Sequence, residues 1–291
     1  MTDEATALCA LFARIQRAPS EFYRERVAAA GTEELARLPL TTRAELVRDQ
    51  LAHRPHGSRR FADAGHPVRA GSTGSGDDLL VLTWSAADLA RERQAGARML
   101  GRLGATAGMR IANTLPGALV TPGSLLLGDV VEDLSGLDVP LGAIESDAAA
   151  KQAWELVDRV QPDVLVLDPV AAPRLFGATP PASRPWWRGI VWLRRGATPM
   201  ALPPVSDATG FTGWQRTWLA VPEASSFVAH SCRDGGFHVD DAIVAEIIDG
   251  HLALTPLGGD TPLLRYASGV RAQLCPSPCT CGEPGTVLAL D

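Results

Sequence analysis

Apolar positions recur along this chain with two spacings, and the change from one to the other divides it. Near the start, Leu8, Leu11, Phe12 and Ile15 fall three and four apart, the spacing of one helix face. Residues 5–60 read as helices joined by short turns. Within them Thr41-Thr42-Arg43-Ala44-Glu45 is a helix start, with a Thr cap and a Glu three residues on. A glycine-rich turn at 71–76 precedes an apolar run at 79–84, predicted as a strand. Ser85 then caps a helix expected to reach about Leu103. Residues 109–133 alternate short apolar runs with Gly and Pro. A helix is predicted over 148–160, and Val164-Leu-Val-Leu167 reads as a strand buried on both faces. Strand, helix and strand in this order predict an α/β fold with a mostly parallel sheet. Residues 170–207, rich in Pro, Arg and Trp, carry no assignable period. From about 208 the pattern is one of short strands, at 226–230, 242–248 and 251–255, with Asp249-Gly250 as a hairpin turn. Two regions are therefore expected: an α/β core over 1–207 and a β-rich subdomain over 208–291.

The β-rich region holds four of the five cysteines: Cys232, Cys275, Cys279 and Cys281. Thiolates on a turn bent by Pro and Gly converge on one centre, and four of them in a tetrahedron suit zinc. The expected ligands are these four cysteines, with His230 as the alternative fourth. Four protein ligands close a site, so this zinc is expected to stabilise the fold and not to catalyse. Reduced thiols or a disulfide pair are the other readings of the same spacing.

Composition narrows the class. The chain has 291 residues and is 46% hydrophobic, enough for a sizeable core. Its formal net charge is −6 and no basic stripe stands out, which argues against nucleic acid as a partner. No apolar run reaches membrane-span length, and the acidic start Met-Thr-Asp-Glu is not that of a secretory signal. Cys9 stands apart from the cluster. The cysteine usage suits a reducing compartment, so a cytoplasmic location is expected. The basic residues are almost all arginine, and Lys151 is the only lysine.

Several short segments in order then carry a resemblance: Glu21-Phe-Tyr-Arg-Glu-Arg-Val27, Leu38-Pro-Leu-Thr-Thr-Arg-Ala-Glu-Leu46, Gly71-Ser-Thr-Gly-Ser-Gly76, Gly235-Gly-Phe-His238 and Pro262-Leu-Leu-Arg-Tyr266, followed by the cysteine knuckle. In these the chain resembles the phenylacetate–coenzyme A ligase branch of the adenylate-forming enzymes. The resemblance spans nearly the whole chain, up to the end of that family's large N-terminal domain, and implies its α/β fold without the small mobile C-terminal domain. It also implies two-step chemistry. A carboxylate attacks the α-phosphate of ATP, and a thiol, usually of coenzyme A, displaces AMP. Gly71, Ser72, Thr73, Gly74, Ser75 and Gly76 stand where the family has its phosphate loop, and Thr212 and Arg265 fall on further nucleotide-site segments.

The same comparison exposes losses. Asp77 and Asp78 follow the glycine loop where the family has Gly-Lys-Pro, and they repel a triphosphate unless they point away or bind a cation. The family's Tyr-Gly-x-Thr/Ser-Glu motif is matched by Thr209-Gly-Phe-Thr-Gly213, which puts Gly213 in place of the magnesium-holding Glu. Gly196-Ala-Thr-Pro199 resembles the family's Gly-Ala-Glu-Pro segment. Val270 stands in place of the ribose-binding Asp and accepts no hydrogen bond. Lys151 lies on a predicted solvated helix, far from any role as the family's catalytic lysine. ATP and magnesium use is therefore expected to be lost. The implied function is an accessory, binding or scaffold protein in a carboxylate-activating, specialised-metabolite pathway, alongside a partner ligase or other biosynthetic enzyme. The alternative is an AMP-forming ligase or an acyltransferase acting on a small-molecule carboxylate or acyl thioester, with a partner supplying the missing domain. A homo-oligomer is open in either case. His53, His56 and His66 read as solvated loop residues, His238 as a structural strand residue, and Trp186, Trp187, Trp192, Trp214 and Trp218 as core or as the wall of an aromatic-acid pocket.

Overall fold

The structure is a computed structural model that describes residues 3–31, 34–115, 122–178, 184–198, 200, 202, 205, 209–276 and 278–291. Three helices open the chain: α1 (Asp3–Arg17), α2 (Glu21–Ala30) and α3 (Arg43–Ala52). Ser20 caps α2, and Thr42 and Glu45 close a reciprocal capping box on α3. The apolar stripe of α1 is buried with Tyr23, Phe61 and Leu264. Tyr23 fixes this packing through its hydroxyl, which lies 3.1 Å from Thr41 Oγ1 and accepts the Leu264 N–H at 3.0 Å. Residues far apart in sequence are thereby locked together.

Next come β1 (Pro67–Thr73) and β2 (Leu80–Ser85), an antiparallel two-stranded sheet of their own. Ser85 caps α4 (Ala86–Arg102), and Asp88 completes a second capping box. Then follow β3 (Arg110–Asn113), α5 (Pro122–Asp133), β4 (Leu137–Pro140), α6 (Asp147–Val160), β5 (Val164–Leu167), α7 (Ala172–Gly177) and β6 (Gly189–Arg195). The rest is strands: β7 (Trp214–Val221), β8 (Ser225–Ser231), β9 (Phe237–Val239), β10 (Ile243–Ile248), β11 (His251–Pro256), β12 (Tyr266–Leu274) and β13 (Val287–Leu290).

Eleven of the strands form one sheet in the order β10-β11-β12-β13-β9-β8-β7-β6-β5-β3-β4. The expected α/β class holds, and the sheet is mixed. Its parallel part runs from β4 to β7, the segment built from strand–helix–strand units, and the remaining pairs are antiparallel hairpin ladders. β6 and β7 pair over seven positions, so the regions on either side of residue 207 share this sheet. The β5 run is buried at all four positions, as its composition required. Asp249 and Gly250, both at positive φ (51° and 75°), make the tight turn between β10 and β11.

Tryptophans fill the middle. Trp192 and Trp218 are fully buried, and their indole N–H groups donate to Gln215 Oε1 (2.9 Å) and Ser226 O (2.6 Å). Trp187 packs on Trp154, Phe176 and Phe211. These rings are core, and each stabilises the fold by roughly 1.5–3 kcal/mol or more through burial alone. Among the described residues no helix is long and apolar enough to cross a membrane.

Candidate functional site

The glycine-rich segment folds as the tip of the β1–β2 hairpin. Gly71, Ser72 and Thr73 are in β1, opposite Leu82, Val81 and Leu80. Gly74 and Gly76 turn the chain with φ of 72° and 55°, the left-handed region that glycine enters without strain. Helix α3 clamps the hairpin from one side. Gln50 donates to Val81 O at 2.7 Å and accepts the Val81 N–H at 2.8 Å.

The first residue of α3 fills the loop. The Arg43 guanidinium donates to Asp78 Oδ2 (2.6 Å), Thr73 Oγ1 (2.9 Å), Thr73 O (2.8 Å), Asp78 O (2.7 Å) and the carboxylate of Glu223. Five N–H groups meet five acceptors, so none remains for another anion. Burial works against the charge, but Asp78, Glu223 and Tyr266 outweigh it and hold the Arg43 pKa above its ordinary value. Asp78 thus faces a cation supplied by the protein itself. A side chain at Gly74 would run into Arg43 and the Asp78 carbonyl, which explains the glycine.

Glu223 was not legible as a site residue. It lies in the turn after β7, at the carboxyl end of a parallel strand, where open α/β sheets gather their ligand-binding groups. Its Oε1 accepts from Thr73 Oγ1 at 2.6 Å. The sequence comparison had put Gly213 in the place of an acidic residue, whereas the carboxylate beside the loop is Glu223. Thr212 is not brought to the loop. It lies just before β7, at the amino end of the strands, in a small cleft with Arg184, Trp187 and Arg188. Arg265 is turned away as well, with its Nε 3.0 Å from Glu246 Oε2 and another N–H on the Leu38 carbonyl. Val270 is fully buried in the core. Lys151 is exposed on α6. Pro199, in the Gly196-Ala-Thr-Pro199 segment, lies outside the described residues.

Beside the hairpin, a cavity of about 240 Å³ opens between β2, α4, the 222–225 turn and the 256–263 segment. Arg98 closes a two-bond pair with Asp240 at one end (2.8 and 3.1 Å), and Arg91 pairs with Asp88. Glu92 accepts the Ser226 N–H at 2.8 Å. Burial pushes its carboxyl pKa up, against the pull of Ser226 and Ser225.

A third constellation lies at the β8–β9 hairpin. Donor atoms of Cys232, His238, Cys279 and Cys281 lie within 4.8 Å of one another. Cys232 Sγ and Cys279 Sγ are 3.8 Å apart. That is the edge of a tetrahedron with metal–sulfur bonds of about 2.3 Å. His238 Nε2 is 3.2 Å from Cys281 Sγ, and its Nδ1 is 3.3 Å from the Pro284 carbonyl, the outer contact that fixes a ligating imidazole. The Glu283 N–H points at Cys281 Sγ at 3.3 Å. The Cys281 amide and thiol hold Cys279 down to about 7, while burial pushes Cys281 up to about 11. The donor set, three thiols and an imidazole, fits a metal such as zinc. Neither Cys275 nor His230 is in this group of four. The Cys275 N–H donates to Val287 O (2.9 Å) beside the β12–β13 ladder, and His230 Nε2 is engaged with Glu283 Oε2 at 2.9 Å. His53, His56 and His66 belong to no group of three or more metal donors among the described residues.

No protein-family model matches the chain, and no curated protein is similar to it. Solved structures are. An open conformation of 2-hydroxyisobutyryl-CoA ligase in complex with 2-HIB-AMP and CoA superposes with a TM-score of 0.80 at 18% identity, over 99% of this chain and 72% of that one. In the postadenylation state of the same ligase the TM-score is 0.80, and this chain spans 65% of its length. O-succinylbenzoate coenzyme A synthetase from Bacillus subtilis, in complex with AMP, matches over 78% of this chain and 50% of that one, with a TM-score of 0.52 at 14% identity. The fold of this chain is that of the adenylate-forming coenzyme A ligases.

Proposed function

We propose that this protein uses the adenylate-forming fold for binding and not for ATP-driven activation, as an accessory or scaffold protein in a carboxylate-activating, specialised-metabolite pathway. The Arg43 side chain carries the reading. It occupies the loop that the resemblance assigns to phosphate and uses every donor it has on the protein's own acceptors. Glu223 is spent on Arg43 and Thr73, which leaves it poorly placed to hold magnesium. The only lysine of the sequence, Lys151, is exposed on α6, an element outside the hairpin and the turn that hold Arg43 and Glu223. Losing even one such stabilising group costs roughly 10²–10³-fold in rate. The four donors at the β8–β9 hairpin serve in this reading as a structural zinc site.

One observation favours a second reading, an AMP-forming ligase or acyltransferase completed by a partner chain. A carboxylate, Glu223, stands beside the glycine loop where a magnesium ligand belongs. Calorimetric titration with ATP·Mg and with a nonhydrolysable acyl-adenylate mimic separates the two. The binding role expects no heat and no thermal shift from either. Saturable micromolar binding overturns it in favour of the ligase.

A further inference from the structure

The eleven-stranded sheet ends at β4, and among the described residues no strand pairs with the outer side of β4. Beside this edge an apolar groove of about 360 Å³ opens between α6 and the end of β4. Pro140, Leu141, Ala149 and Ala153 line it, and Leu156 stands at its side, 38% exposed. Leu137, 52% exposed, extends the apolar strip. Alternation along β4 puts it on the same face as Val139, which is buried with Trp154 and Val157 of α6. The charges of α6 divide by side. Those away from the groove are paired within the chain, Asp147 with Arg174 (3.6 Å) and Asp158 with Arg184 (3.0 Å). Glu155 and Arg159 line the groove, and their side chains have no ion pair and no hydrogen bond among the described residues. They are four apart, so they share one face of the helix, with Leu156 between them in the chain.

We infer that this face is where two copies of the chain meet, with α6 packed antiparallel on α6 of the second copy across a two-fold axis. The unpaired charges identify the occupant. An antiparallel crossing brings Glu155 of each copy to Arg159 of the other, and Leu156 of each over the groove of the other. A parallel crossing sets Glu155 against Glu155 and Arg159 against Arg159. Complementary charge thus fixes the direction of the contact. One face that carries both the projecting side chain and the groove that receives it, and both signs of charge, is what a two-fold interface requires. The opposite face of the same edge is unsuited to this role. There α5 carries Asp129, Glu132 and Asp133, and Arg93, paired with Asp133 and Asp129, leaves an acidic excess that repels a second copy. Helix α6 has 14 residues, about four turns, so the contact is of modest size and the pair dissociates on dilution. This interface is independent of either reading of the glycine loop.

The test is sedimentation equilibrium of the full chain over a concentration series, with circular dichroism to show that each variant is folded. The wild type gives twice the mass of one chain at high concentration and dissociates on dilution. Glu155→Arg and Arg159→Glu each set like charges together and weaken the pair by about tenfold or more. Leu156→Asp weakens it by a similar factor. Glu155→Arg combined with Arg159→Glu exchanges the two charges and restores the pair, because the antiparallel contact is matched again. A wild type that stays a single chain at every concentration overturns the inference and leaves the groove to a different partner. Association that is the same in all variants overturns it too, and so does failure of the exchanged pair to recover. The ATP·Mg titration bears on the loop alone, so that reading and this one fail separately.

Discussion

Arg43 Nε lies 2.6 Å from Asp78 Oδ2, and this contact ties the first residue of α3 to the tip of a hairpin thirty-five positions later in the chain. The pair is partly exposed on the Asp78 side, so by itself it stabilises by no more than about 1 kcal/mol. The Glu223 side of the same guanidinium is different, because that carboxylate is only 8% exposed. Arg43→Ala leaves Glu223 buried without its cation. The expected loss is about 2–3 kcal/mol in urea unfolding, and Arg43→Ala with Glu223→Gln recovers part of it. Additive losses in the double mutant would mean that the two side chains do not act together.

Glu92 makes stability fall with rising pH. Its folded-state pKa is raised, mainly by burial, above its ordinary value of 4.5. The folded state therefore holds a proton that the unfolded chain has already released. The contribution is fully present below pH 4.5 and is lost as pH climbs from there through the folded pKa. Glu92→Gln keeps an acceptor for the Ser226 N–H and carries no charge. It should flatten this slope in urea unfolding between pH 5 and 8 and be the more stable protein at pH 8. Parallel wild-type and mutant profiles would show that Glu92 ionises freely.

The metal cluster makes a choice between two residues measurable. Elemental analysis of purified protein should give one zinc per chain for the wild type and for Cys275→Ser, and little for His238→Ala or Cys281→Ser. Chelation should lower the melting temperature of the wild type and of Cys275→Ser, and leave His238→Ala unchanged. Loss of zinc from Cys275→Ser with retention in His238→Ala would restore the four-cysteine site.

Gly96 sets two effects of opposite sign against each other. In a helix interior Ala is favoured over Gly by about 1 kcal/mol. A Cβ at Gly96, however, would come within 2.8 Å of both Phe227 Cζ and Val130 Cγ2, at the contact of α4 with β8 and α5. Overpacking of this kind costs about 1–3 kcal/mol. Gly96→Ala is therefore expected to destabilise by up to about 2 kcal/mol in thermal or urea unfolding, and a gain in stability would show that the helix moves away freely.

What the sequence made legible was local. The Thr42–Glu45 box, the Ser85 cap, the fully apolar β5 run and the Asp249-Gly250 turn each depend on neighbours within a few residues. What it concealed was long-range. Pro67-Val-Arg-Ala-Gly-Ser-Thr73 alternates weakly, so β1 shows itself only by pairing with β2. Nothing near Arg43 announces that it will fill the glycine loop. His238 reads as an ordinary strand residue until the β8–β9 hairpin sets it directly opposite His230, with the Cys232 turn beyond. Glu223 was passed over because no motif was matched at the carboxyl end of β7, and only the direction of the strand tells which end gathers ligands.

The place of β13 has a consequence for synthesis on the ribosome. This strand, residues 287–290, is inserted between β12 and β9 and joins the two halves of the eleven-stranded sheet. Until residue 290 has emerged, β12 and β9 each present an open edge, the kind of surface that pairs with other chains. At about 5–20 residues per second, the stretch from the end of β9 to the end of β13 keeps the β9 edge open for about 3–10 seconds and the β12 edge for about 1–3 seconds. The sheet is thus completed from the inside, by a strand made after both of its neighbours, and the quality of its assembly rests on how well those two edges are shielded during the wait.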